Sequence, residues 1–153
     1  MNSTSQAPAI RTNVGESGPD KGALIGVLRT SERLEQQLEA ALVAVGLSIS
    51  KFDAMEQLIN CAEPLTLGDL AGRLNCVRSN ITQLVDRLEA EGLVKRGSCP
   101  SDRRAIRAML TPLGVERHAA GVTAIRGVQA EIAERLSESD RKQLMTLLSA
   151  LVG

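Results

Sequence analysis

The stretch VRSNITQLVDRLEAEGLVKRGSCPSDRRAIRAML, from Val77 to Leu110, changes its hydrophobic period once, and that change decides the fold. Its first half sets Val77, Ile81, Leu84, Val85 and Leu88 at i, i+4, i+7, i+8 and i+11, one apolar stripe along a helix that Gly92 closes. Beyond Gly92 the helical period is gone. Leu93, Val94, Lys95 and Arg96 can form a strand, the turn-rich GSCPSD follows, and Ile106, Ala108 and Leu110 alternate with Arg107 and Met109 as a returning strand.

Working outward, Thr66 with Asp69 three residues on makes a capping box that opens a short helix through Leu74, followed by a turn at Asn75. Further upstream Ser50 and Asp53 repeat that pattern ahead of Phe52, Met55, Leu58 and Ile59, a helix that stops before Pro64. From Lys21, Leu24, Val27, Leu28, Leu34, Leu38, Leu42 and Val45 recur at mostly helical steps up to Gly46. Downstream, Thr111-Pro112 is an N-cap and first-turn pair for a long helix to Leu136, and Ser137 with Asp140 caps a last one bearing Leu144, Leu147, Leu148 and Leu151. The expected order is α-α-α-α-β-β-α-α without internal repeat. That is a mainly α chain with a small antiparallel β wing: a winged helix-turn-helix over residues 47–111, flanked by helices at 21–46 and 112–153. Residues 1–20 are Ser, Thr, Asn, Gly and Pro with scattered apolars and no period, and are expected to be a flexible arm ahead of one domain at 21–153.

Composition agrees with packed helices. Of 153 residues 43% are hydrophobic but only 1% aromatic, with one Phe and neither Trp nor Tyr, so the core has to be built from Leu, Val, Ile and Ala. No apolar run approaches the ~18 residues that span a bilayer, and the first residues lack a basic patch followed by an apolar stretch, so a cytoplasmic location is expected. The formal charge is zero, yet its distribution is uneven. From Arg73 to Arg107 there are eight basic residues against four acidic, a local +4 that leaves −4 on the remainder. A basic middle between acidic ends is the asymmetry of a DNA-contacting face. Cys61, Cys76 and Cys99 are an odd number with no C-x-x-C spacing, and with one His in the chain no zinc site is expected. No cofactor is expected either.

A helix fits the major groove, where residues near its N-terminus can reach base edges. The inward stripe leaves Arg78, Ser79, Thr82 and Gln83 outside with Asn80 at the border, five side chains able to hydrogen-bond to bases or phosphates. Arg87, two turns on, is read as meeting backbone phosphate or simply water. Asp102, Arg103 and Arg104 place two guanidinium groups and a carboxylate at the tip of the wing, where arginines can enter a minor groove and Asp102 can hold one of them. A solvated polar helix and a surface loop with a local ion pair are the bland alternatives, and the juxtaposition of the two elements weighs against both.

With LVDRLEAEGLVKR at 84–96, PSDRRA at 100–105 and LTPLG at 110–114, the chain resembles the MarR family of bacterial repressors over nearly everything after residue 20. The resemblance implies a homodimer made by interlocking the first and last helices, here 21–45 and 112–151. It further implies recognition by the helix at 77–91, minor-groove insertion of Arg104 supported by Asp102, and a near-palindromic operator. Many members of that family release DNA when a small, often aromatic, ligand binds. The chain departs from the pattern at Cys99, where a polar or acidic residue usually precedes the wing proline, and at Cys76. Both are candidate redox sensors. Cys99 stands near Arg96, Arg103 and Arg104 in sequence, Cys76 stands near a helix N-terminus, and each setting favours the thiolate. The alternative for both is an inert small hydrophobe, the reading given to Cys61 at the end of an apolar helix face. The family's familiar N-terminal peroxide-sensing cysteine with tyrosine partners is absent. His118, beside the apolar stripe of the long helix, reads first as a packed or interface histidine and second as a ligand contact or pH switch.

The expected function is therefore a sequence-specific DNA-binding transcriptional regulator, a repressor acting as a homodimer on double-stranded DNA and released by a small-molecule effector or by cysteine oxidation. The alternative is a winged-helix protein-interaction adaptor without DNA binding, which would have no need of Asp102, Arg103 and Arg104 side by side. An enzyme is not expected: the sequence offers no nucleophile with a base, no phosphate-cradling glycine loop and no metal constellation.

Overall fold

A computed structural model describes residues 21–61, 63–98 and 106–152. In chain order the elements are α1 (Lys21–Val43), α2 (Ile49–Ile59), β1 (Leu65–Thr66), α3 (Leu67–Arg73), α4 (Arg78–Ala90), β2 (Val94–Ser98), β3 (Ile106–Leu110), α5 (Pro112–Glu134) and α6 (Glu138–Val152). The described backbone divides into two units, one ending at Arg33 and the other beginning at Leu34. In the first, the described residues belong to the opening turns of α1, on which Leu24, Ile25 and Leu28 are exposed.

The core lies in the second unit and is aliphatic, as the composition requires. Leu42, Met55, Leu70, Ile81, Val85, Leu88 and Val94 are almost completely buried, and Phe52 is only half-buried against them. Chain reversals into this core share one device, a helix end with a left-handed residue. At Gly46 (φ 76°) the Leu47 amide donates to Leu42 O at 2.9 Å. At Gly92 (φ 71°) the Leu93 amide donates to Leu88 O, also at 2.9 Å. Each turn delivers a buried leucine directly after the reversal.

Several expectations are borne out. Thr66 and Asp69 form the reciprocal capping box of α3, Thr111 caps α5 with Pro112 in its first turn, and Ser137 and Asp140 exchange bonds at the head of α6. Others need correction. The N-cap of α2 is Ser48, whose Oγ accepts from Lys51 N at 3.2 Å, and Ser50 lies inside the helix. The reason lies upstream. Leu47 is pinned in the core by the Gly46 turn, Ser48 is the first extended residue after it, and the Ile49 amide is taken by Glu39 Oε2 at 2.8 Å. The long helix ends at Glu134 rather than Leu136.

The sheet has three strands, in the order β1-β3-β2, where two were expected. β2 and β3 pair antiparallel from Val94↔Leu110 to Ser98↔Ile106, and β1 adds Leu65↔Ala108 and Thr66↔Arg107 on the far edge of β3. Two residues carry no readable period, so β1 is invisible to pattern analysis. Its effect is to tie the start of α3 to the wing.

Candidate nucleic-acid interface

α3 and α4 form the helix-turn-helix, and their joint is set by one residue. Asn75 has φ 48°, a left-handed conformation that asparagine tolerates better than most side chains. This lets the Cys76 amide reach Ala71 O at 3.1 Å and the Asn75 amide reach Gly72 O at 3.3 Å, satisfying carbonyls that the end of α3 would otherwise leave open. The chain then re-enters a helix after only Cys76 and Val77. Ile81, Val85 and Leu88 of α4 are fully buried, which fixes the rotation of the helix about its axis. Given that rotation, Arg78, Ser79, Asn80, Thr82 and Gln83 are all exposed, and the five side chains expected to read DNA share one open face. Thr82 is partly spoken for, since its hydroxyl donates to Arg78 O at 3.0 Å. Val77 departs from its expected place in the inward stripe. It is the N-cap residue, in extended conformation, and is 63% exposed.

The wing stands against this helix through a contact that the sequence did not reveal. Arg96 on β2 reaches back to α4, where its guanidinium pairs with Asp86, lies 3.6 Å from Glu89 Oε2 and donates to Thr82 O at 3.4 Å. Its backbone amide donates to Glu89 Oε1 at 3.1 Å. Arg96 therefore joins wing to helix and is withdrawn from the free basic charge of the middle segment. Lys51 is likewise paired with Glu91 at 2.6 Å, and Arg107 lies 4.0 Å from Glu63. Among the described residues Arg73, Arg78, Arg87 and Lys95 form no ion pair. A sign that could have pointed to the Arg96 clamp is the i, i+3 spacing of Asp86 and Glu89, which puts two carboxylates on one helix face. The wing residues Asp102, Arg103 and Arg104, together with Cys99, lie outside the described residues.

Beside the open face of α4 runs a groove of about 350 Å³, lined by Ser50 and Asp53 of α2, by Cys76, and by Asn80, Gln83 and Arg87. It has one acidic and one basic wall. Partial burial, with Glu56 nearby, raises the Asp53 carboxyl above its ordinary value. Cys76 is half-buried here, and Cys61 is half-buried at the end of α2.

His118 is packed, as its first reading had it. It is buried on α5, stacks on Phe52 of α2 with ring centroids 5.0 Å apart and planes 6° from parallel, and hydrogen-bonds Glu56 through Nε2. That bond, with a second from Asn60, holds the Glu56 carboxyl below its ordinary range. α5 is thus keyed to α2 through His118. No group of three or more metal-ligating side chains occurs among the described residues.

Comparison with known proteins bears on what this arrangement serves. Residues 47–106, the span from the Gly46 turn to the start of β3, match the MarR family model. A Thauera aromatica protein described as a transcriptional regulatory protein for the hcr operon is 34% identical over 97 residues, which is 63% of this chain and 58% of that one. An uncharacterized helix-turn-helix transcriptional regulator of Bacillus subtilis, YcgE, is 37% identical over 75 residues, covering 49% of this chain and 47% of its own length. The chain thus spans about half the length of the curated relatives it matches. Among solved structures, the transcriptional repressor CouR bound to a 23-mer DNA duplex superposes with a TM-score of 0.74 at 25% identity, covering 90% of this chain and all of that one.

Proposed function

We propose, from the match of residues 47–106 to the MarR family model, that this chain is a MarR-type, sequence-specific transcriptional regulator that binds double-stranded DNA as a homodimer. One observation carries the reading: five exposed hydrogen-bonding side chains, Arg78 to Gln83, sit at the N-terminal end of a helix whose opposite face is locked in the core. Such a helix can lie in the major groove without rearranging anything behind it. The sequence extends the same role to Asp102, Arg103 and Arg104, with Arg104 entering the minor groove. Exposed leucines on α1 (Leu24, Leu28) and on α6 (Leu144, Leu147, Leu151) supply apolar surface for a second copy. Two-fold symmetry then calls for a near-palindromic operator with half-sites about one helical turn apart.

The sense of regulation in this reading is repression, relieved when an effector favours a dimer in which the two heads no longer match the operator. The groove between α2 and α4 is where a small ligand would disturb Asn80, Gln83 and Arg87 directly. Oxidation of Cys76 would act in the same region, and the sequence extends the same proposal to Cys99. A chain with all three cysteines changed to Ser should then hold DNA under peroxide that releases the wild type, whereas equal release from both would remove oxidation from the proposal.

The test of the reading itself is selection of bound sequences from a random duplex pool, followed by the Gln83→Ala variant. A palindromic motif is expected, and Gln83→Ala should relax preference at one base position per half-site by about 1–3 kcal/mol. Failure to enrich any motif, with equal weak binding to every duplex, would refute it.

A further inference from the structure

The residue at the N-cap of α4 is Val77, with φ −71° and ψ 146°, and it makes no capping bond. Serine, threonine, aspartate and asparagine prevail at this position because their oxygen accepts from the second or third helical amide. The other N-caps resolved in the second unit conform: Ser48 caps α2, Thr66 caps α3 and Thr111 caps α5. Among the described N-caps, the one at the start of α4 alone gives up the capping bond for an aliphatic side chain.

Core packing does not account for that side chain. Four residues before Ile81, a residue of a continuous helix would share its buried face. The extended backbone of an N-cap turns Val77 off the stripe instead, leaving it 63% exposed while Ile81 is 0% exposed. Its exposed neighbours on the helix, Arg78, Ser79 and Asn80, are all polar. A stiff, β-branched apolar group therefore projects from the end of the helix that faces the bases in the proposed complex, and it has little rotamer freedom to lose on contact. On the major-groove edges of the four base pairs, the apolar feature is the 5-methyl group of thymine.

We propose that Val77 is a specificity-determining residue that packs on the 5-methyl group of a thymine in each half-site, an inference that rests on reading α4 as the helix lying in the major groove.

The experiment uses the full-length chain and the duplex that it selects from a random pool, with each thymine replaced in turn by uracil, which removes the methyl group alone. For the wild type, one symmetric pair of replacements should lower affinity by about fourfold per half-site, the factor expected for one methyl-sized group taken out of water, and so by about fifteenfold together. In Val77→Ser the same pair should change affinity less than twofold, while Val77→Thr, which keeps one methyl, should retain part of the sensitivity. Serine and threonine are both good N-caps, so neither variant is expected to lose its fold, and a melting curve checks this. An equal uracil effect in wild type and Val77→Ser would overturn the contact, as would a wild type indifferent to every replacement. A chain that selects no motif at all fails one step earlier and overturns the regulator reading, and the contact with it.

Discussion

Replacing Arg96 by glutamine separates a positioning arginine from a DNA-contacting one. In the structure its guanidinium serves two carboxylates and a carbonyl of α4, and its side chain is 26% exposed against 54% for Asp86 and 41% for Glu89. Both partners are open enough to be rehydrated when the arginine is removed, so the full cost of stranding a buried charge does not arise. Half-exposed ion pairs contribute about 0.2–1 kcal/mol each after solvent screening. Two of them, with the packing of the arginine stem, give an expected loss of about 1–2 kcal/mol in urea unfolding. A double-mutant cycle with Asp86→Asn should show a coupling of about 0.5–1 kcal/mol. The functional assay is duplex binding by fluorescence anisotropy over a range of salt concentrations. Because Arg96 is already neutralised within the protein, Arg96→Gln should weaken binding by loosening the wing while leaving the slope of log K against log salt unchanged. An arginine on a phosphate would instead remove about 0.9 from that slope per protomer. A shallower slope for Arg96→Gln together with zero coupling to Asp86 would refute the clamp.

Three further outcomes follow from the geometry. In Gly114→Ala the new Cβ would stand 2.0 Å from Leu93 O, a backbone carbonyl that also accepts from Thr111 N, so neither side can yield; a loss of about 3 kcal/mol or more is expected in thermal melting, and a near-neutral effect would contradict this close approach. Asn75→Ala should cost about 1 kcal/mol in urea and Asn75→Gly only a few tenths, since the left-handed backbone penalises a β-carbon that cannot hydrogen-bond locally; equal costs would argue against strain at φ 48°. Glu56, held below its ordinary 4.5 first by the bond from His118, stabilises the fold in its ionised form. That contribution is complete above the unfolded value and is lost as pH falls below about 4.5 through the folded one, so the urea midpoint of the wild type should drop more steeply in acid than that of Glu56→Gln, and parallel curves would contradict the assignment.

The helices and the wing were legible because their signals are local. Thr66, Thr111 and Ser137 announce helix starts through bonds spanning three residues, and Gly46 and Gly92 announce ends through a conformation that other residues avoid. The rotation of α4, and with it the exposure of Arg78, Ser79, Asn80, Thr82 and Gln83, follows from the spacing of Ile81, Val85 and Leu88 alone. What escaped depends on geometry between elements or on too few residues to show a period. β1 has two residues, and the α2 cap moved to Ser48 because of where the preceding turn buries Leu47. Arg96 counted as free basic charge in the sequence, and only the fold brings it to Asp86 and Glu89, ten and seven residues away. Likewise the pairing of His118 with Glu56, 62 residues apart, is a product of α5 packing on α2. Val77 shows the converse failure. It fits the period of α4 perfectly, yet a helix begins one residue later than its pattern, and the N-cap turns outward.

Titration of the selected duplex and of a shuffled duplex of equal length, across a series of salt concentrations, tests the central claim most directly. If the open face of α4 reads bases while arginines hold the backbone, the selected duplex should bind about a thousandfold or more tighter than the shuffled one, and log K for both should fall linearly and steeply with log salt. Equal affinities, or binding that ignores salt, would contradict it.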